Sequence, residues 1–116
     1  SVDEARSLIN QDACDLLILK PALFGRFDDL IVTKRLAASH SIEAVITTSF
    51  DSIIGRTATA VLASGLGSKK HAHGLATGVA LNEPFIRHEI HRGTYNLPET
   101  PGLGIPLDLS RYKEIN

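Results

Sequence analysis

Apolar and polar positions change rhythm several times along this chain, and each change marks an element. Over residues 1 to 10, Val2, Ala5, Leu8 and Ile9 recur at helical spacing, Ser1 stands where a cap belongs, and Glu4 completes a capping box. Leu16-Leu17-Ile18-Leu19 then runs apolar without a break up to Lys20-Pro21, the pattern of a strand buried on both faces of a parallel sheet. After a turn at Gly25, residues 28 to 39 are expected to be helical, with Phe27, Leu30, Ile31, Ala37 and Ala38 as apolar positions and His40-Ser41 as the end. Residues 43 to 48 read as a second strand. Residues 52 to 66 read as another helix, with Ile54, Ala58, Val61 and Leu62 at helical spacing and Gly65 and Gly67 as stop signals. A weaker third strand is expected at His73-Gly74-Leu75.

Strict alternation of helix and strand predicts parallel βαβ units, hence the α/β class. The tail differs, because residues 86 to 91 and 94 to 97 alternate about Arg92-Gly93 like a hairpin, and Pro98, Pro101, Gly102, Gly104 and Pro106 then forbid regular helix. The chain therefore divides into residues 1–82, the α/β part, and residues 83–116, the hairpin and tail. Three parallel strands leave sheet edges open, and a complete barrel needs about 250 residues. The expectation is a small open sheet or a piece of a larger one, and a sequence that opens on a helix cap with no Met fits a fragment or a processed chain.

Composition narrows the partners. The 116 residues are 43% apolar and 22% charged, with 12 Lys+Arg against 13 Asp+Glu. A net charge of -1 offers no basic field for nucleic acid or an anionic membrane, so neither is expected as a partner. No apolar run approaches the roughly 18 residues of a membrane span. The single Cys14 excludes an internal disulfide and fits a reducing, cytoplasmic setting; it lies before the first strand and reads as a small core residue.

In parallel α/β folds ligands gather at the C-terminal ends of strands, so the residues that follow each apolar run carry the candidate chemistry. Lys20 is the sharpest candidate. An ammonium at the end of a buried strand is costly to desolvate, and can serve as base, acid or electrostatic clamp, or can snorkel to solvent. Thr47-Thr48-Ser49 offers hydroxyls and backbone amides suited to a carboxylate, while Asp51 and Ser52 also fit plain helix capping. Asp51 alone does not make a metal site, since hard cations collect several oxygens. His71 and His73 form an H-x-H pair with no further ligand at a recognisable spacing, so they read as surface or packing histidines. Neither GLGSKK nor PGLGIP matches a phosphate loop.

Four segments in order, LLILKPALFGRFDD, VITTSFDSIIGR, HGLATG and PGLGIPLD, resemble the last strands and tail of the o-succinylbenzoate synthases of the enolase superfamily. That resemblance covers nearly the whole chain and implies the C-terminal portion of a (β/α)7β TIM-like barrel, strands six to eight, with the tail returning towards a capping domain. The implied reaction is dehydration of a cyclohexadiene carboxylate through a metal-stabilised enediolate, in menaquinone or phylloquinone biosynthesis, with Mg2+ as cofactor. Within it, Lys20 matches the sixth-strand lysine that faces the anionic intermediate, and Thr48 and Ser49 match the seventh-strand hydroxyl pair near the succinyl carboxylate. Gly74 falls in the eighth-strand segment whose backbone approaches the same group. The family's K-x-K base motif and its three acidic metal ligands have no counterpart here. The implied partners are thus the remaining N-terminal barrel half and the capping domain besides a small carboxylate substrate, and the chain alone is expected to be inactive. The alternatives are an N-acylamino-acid racemase or dipeptide epimerase of the same superfamily, and a non-catalytic α/β interaction domain.

Overall fold

The computed structural model describes residues 1–77, 90–105 and 110. Its elements are α1 (Val2–Asn10), β1 (Leu16–Leu19), α2 (Pro21–Phe24), α3 (Phe27–Ser39), β2 (Glu43–Ile46), α4 (Ile53–Leu66), β3 (Ile90–His91) and β4 (Thr94–Tyr95). β1 and β2 pair in parallel, with Leu16 opposite Glu43 and Leu19 opposite Ile46. A single parallel bridge from Thr47 to Gly74 adds the third segment. The α/β class therefore holds, and the weak third strand is reduced to that bridge.

Local chemistry explains where the helices stop. α1 begins on the full capping box of Ser1 and Glu4. It ends with Asp12 at φ 52°, Asp12 N–H on the Ile9 carbonyl and Ala13 N–H on the Leu8 carbonyl. α3 ends in the same way, with Ser41 at φ 61°, Ser41 N–H on Ala38 and Ile42 N–H on Ala37. Both are Schellman closures made without glycine, and in α3 the accompanying apolar contact is available between buried Ile42 and Ala37. In the sequence, periodicity marks the end of α1 and His40-Ser41 the end of α3. The hairpin is tight: Ile90 pairs with Tyr95 and His91 with Thr94, leaving Arg92 and Gly93 as a two-residue turn with positive φ at both positions, the requirement of type I′. The expected strand residues 86 to 89 lie outside the described residues.

One core joins the elements. Ile9, Leu17, Leu19, Leu30, Ala37, Ile42, Ala44, Ile46 and Ala63 form a buried cluster on the helical side of the sheet, with Cys14 packed against it as a small apolar group. β1 departs from the expected strand buried on both faces. Leu17 and Leu19 enter the core, but Leu16 and Ile18 are 37% and 61% exposed, because no described element covers the other face. α4 also departs from its expected face. Ile54 and Val61 are exposed, whereas Ile53, Arg56, Thr57, Thr59, Ala60 and Ala63 are buried. Small and hydroxylated residues thus line the packed side, which leaves room for close approach to β2. In α3 the expected Phe27 and Ala38 are likewise exposed, and Thr33 is buried in their place. No helix among the described residues is long and apolar enough to cross a membrane.

The Thr33 hydroxyl is buried with no hydrogen-bond partner. Such an orphan costs its desolvation and returns nothing. Thr33→Val, similar in shape and in helix propensity, is expected to raise the unfolding free energy by about 1 kcal/mol in urea denaturation.

Candidate functional site

Proline shapes the first part of the site. The residue before a proline is held out of helical conformation, and Lys20, at φ -112° and ψ 103°, stays extended before Pro21 starts α2. The strand therefore delivers Lys20 to its C-terminal end and then turns away. α2 is a four-residue helix that the sequence reading did not contain. The Lys20 side chain is half-buried, and among the described residues its ammonium makes no hydrogen bond or ion pair.

β2 brings its hydroxyls to the same end. Thr47 N–H donates to the Leu19 carbonyl at 2.9 Å, carrying the β1–β2 pairing one residue beyond β2 and setting Thr47 and Thr48 beside the strand end that bears Lys20. Thr48 is 1% exposed. Its N–H donates to the Gly74 carbonyl at 2.9 Å and its hydroxyl donates to the same oxygen at 3.1 Å. The Thr48 hydroxyl also meets the Thr77 hydroxyl, and Phe50 N–H donates to Thr77 Oγ1 at 3.4 Å. These form one directed chain, from Phe50 N–H through Thr77 and Thr48 to the Gly74 carbonyl. The Thr48 hydroxyl, expected to meet the substrate directly, is thus occupied inside the fold, where it positions the loop that follows. Ser49 is half-buried, and its N–H donates to Asp51 Oδ2 at 3.0 Å.

Asp51 and Ser52 were open to a capping role. Ser52 occupies the N-cap of α4 but its side chain makes no capping bond, and the Asp51 carboxylate turns back to Ser49 instead. Gly55 permits this. A Cβ there would lie 2.8 Å from Asp51 Cβ.

Gly74 is placed as close packing demands, since a Cβ at this position would come within 2.9 Å of Thr47 Cγ2. His73 fastens the segment. Its Nδ1 accepts from Ile46 N–H at 3.1 Å, and its Nε2, 3.1 Å from the Ser68 carbonyl, donates there. These two bonds assign the neutral ring with the proton on Nε2. Gly67 makes space for the ring, because a Cβ on it would stand 2.2 Å from His73 Cε1. The H-x-H pair is therefore split: His73 is a packing histidine and His71 is exposed. The segment from His73 to Thr77 follows the third apolar stretch and so stands among the strand-end candidates, but the partners of Thr77 and His73 could not be read from sequence, since both act through contacts 27 to 29 residues away.

No family model, no curated protein and no solved structure matches this chain. Its own geometry therefore carries the functional argument. Among the described residues no three His, Cys, Asp or Glu side chains come together to hold a metal ion. The donors that follow β2, one carboxylate already bonded to Ser49 and a set of hydroxyls, do not by themselves fit a Mg2+ site, which takes carboxylate oxygens in near-octahedral order.

A shallow groove of about 440 Å³ lies at the opposite, N-terminal end of β2, lined among others by Lys34, Ser41, Glu43, Ser68, Lys69 and Lys70. Glu43 is the organising group. A hydrogen bond from Ser68, then one from Lys70 at 3.0 Å, hold its carboxyl below the ordinary value of 4.5. A carboxylate depressed by folding stabilises the fold above its unfolded pKa, and that contribution is lost as the pH falls through the folded value. Acidification below about pH 4.5 should therefore destabilise the wild type more steeply than Glu43→Gln, a difference readable in thermal melts across that window.

Proposed function

We propose that this chain is the lysine-bearing part of a carboxylate-transforming lyase resembling the o-succinylbenzoate synthases, with Lys20 as the cation that faces the anionic intermediate. The observation that carries the reading is an ammonium with no bond inside the described fold, held at the C-terminal end of β1 beside the Thr48-Ser49 end of β2. Strand ends of this kind are where parallel α/β folds bind ligands. Two further features support it. The Leu16-Ile18 face of β1 is apolar and exposed, as in a parallel sheet whose second face is covered by further structure. The Ser49 loop lies at the same end, where a substrate carboxylate would sit opposite Lys20.

In the proposed reaction the proton alpha to a carboxylate leaves a cyclohexadiene ring and hydroxide departs, giving an aromatic product and water. Lys20 lowers the energy of the anion between these events, and Thr48, Thr77 and Gly74 hold the loop that receives the succinyl end. The abstracting base and any Mg2+ ligands belong, on this reading, to barrel strands other than those described here. The working enzyme is then the (β/α)7β barrel of which this chain forms strands six to eight.

The test is turnover by the protein that carries this chain together with its remaining barrel, followed by the change in ultraviolet absorbance as the conjugated diene is replaced by an aromatic ring. Solvent deuterium exchange at the alpha carbon of an N-acylamino acid, without dehydration, would assign a racemase instead. Cooperative unfolding of the 116 residues as a lone monomer, with neither activity in the intact protein, would support an interaction domain.

A further inference from the structure

Phe50 combines two costs that a purely structural residue avoids. Its φ is 57°, a left-handed conformation that is a genuine outlier for a bulky side chain, and it is 68% exposed, so burial does not repay the strain. Asp, Ser and Arg residues hold the other positive-φ positions outside glycine, all at helix ends or the hairpin turn. At Phe50 the conformation is imposed from both sides. Ser49 N–H is tied to Asp51 and Phe50 N–H is tied to Thr77, whose hydroxyl leans on Thr48. Strain that the surroundings over-determine, at a strand end, is characteristic of ligand clamps.

We propose that Phe50 is the apolar wall of the ligand site, contacting the ring of a cyclic carboxylate whose developing anion faces Lys20 and whose succinyl end meets the Ser49 loop. This rests on the lyase reading for the ligand's identity and adds the residue that selects for the ring. Chemistry at this end of the sheet fits such a ligand: the cation of Lys20 after β1, the hydroxyl of Ser49 after β2, and the large exposed aromatic of Phe50 next in the chain, before α4. A small aliphatic dicarboxylate would use the polar groups and leave Phe50 untouched.

The experiment measures binding of o-succinylbenzoate and of succinate to the intact protein, with Phe50→Gly, Phe50→Leu and Lys20→Ala as variants, alongside thermal melts. Phe50→Gly should raise the melting temperature by about 3 °C as the strain is released. It should weaken o-succinylbenzoate by about tenfold or more while leaving succinate within about twofold. Phe50→Leu should keep most of the affinity for the ring. A lower melting temperature in Phe50→Gly would show that the side chain packs internally, and an equal loss for both ligands would show a general loop effect; either overturns the proposal. Ring-selective loss at Phe50 with unchanged turnover in Lys20→Ala would keep the wall and remove the lyase role of Lys20. Failure of the wild type to bind either ligand removes both.

Discussion

On the lyase reading proposed above, Lys20→Ala in the intact protein is expected to lower kcat by about a hundredfold to a thousandfold, the effect of deleting one preorganised group that stabilises developing charge. The side chain makes no hydrogen bond or ion pair among the described residues, so the same change should leave thermal stability within about 0.5 kcal/mol of wild type. That contrast makes the measurement decisive. A structural lysine would give the reverse pattern, with a lower melting temperature and intact turnover. Lys20→Arg keeps the charge but replaces a compact ammonium with a broad planar fork, so it should recover only part of the rate. Turnover near wild type in Lys20→Ala would withdraw the role assigned to this residue.

Leu30→Ala should be the most damaging change to the fold. Leu30 is fully buried on α3, inside the cluster that includes Ile9 from α1, Leu17 and Leu19 from β1, and Ile46 from β2. Truncation removes apolar contact and opens a cavity where several elements meet, so collapse around it is restricted, and a loss of about 3 to 4 kcal/mol follows. Domains of this size hold only about 5 to 15 kcal/mol in all, so the variant should melt well below wild type and become sensitive to protease. Calorimetry of the two proteins side by side measures this. A shift below about 1 kcal/mol would mean that α3 does not pack on the sheet as described.

How much of this was legible beforehand depended on whether the determining contact was local. β1 and β2 could be read from unbroken apolar runs, α1 from Ser1 and Glu4, and the hairpin turn from Arg92-Gly93, because each signal lies within the element it defines. α2 was hidden, since four residues carry no periodicity and Pro21 reads equally as a strand end. The buried side of α4 was missed for a different reason. Hydropathy ranks Ile54 and Val61 above Thr57 and Thr59, yet closeness to β2 favours the smaller residues and turns the larger ones outward. Exposure of Ile18 could not be read at all, because an apolar strand residue looks the same whether or not its cover is present. At the candidate site, Lys20 was legible from charge following an apolar run. The relay through Thr77 was not, since it joins hydroxyls far apart in sequence.

Insertions and deletions meet unequal resistance around this sheet. The His73 ring spans two fixed points, the Ile46 amide and the Ser68 carbonyl, with Gly67 shaved back to admit it. Adding or removing a residue between Ser68 and His73 would pull both nitrogens off their partners and displace Gly74 from Thr48. At Gly25 the chain is exposed and a Cβ would meet nothing, so length can vary there at little cost. Natural length variation in such a protein should therefore collect at the Gly25 turn and spare the imidazole strut.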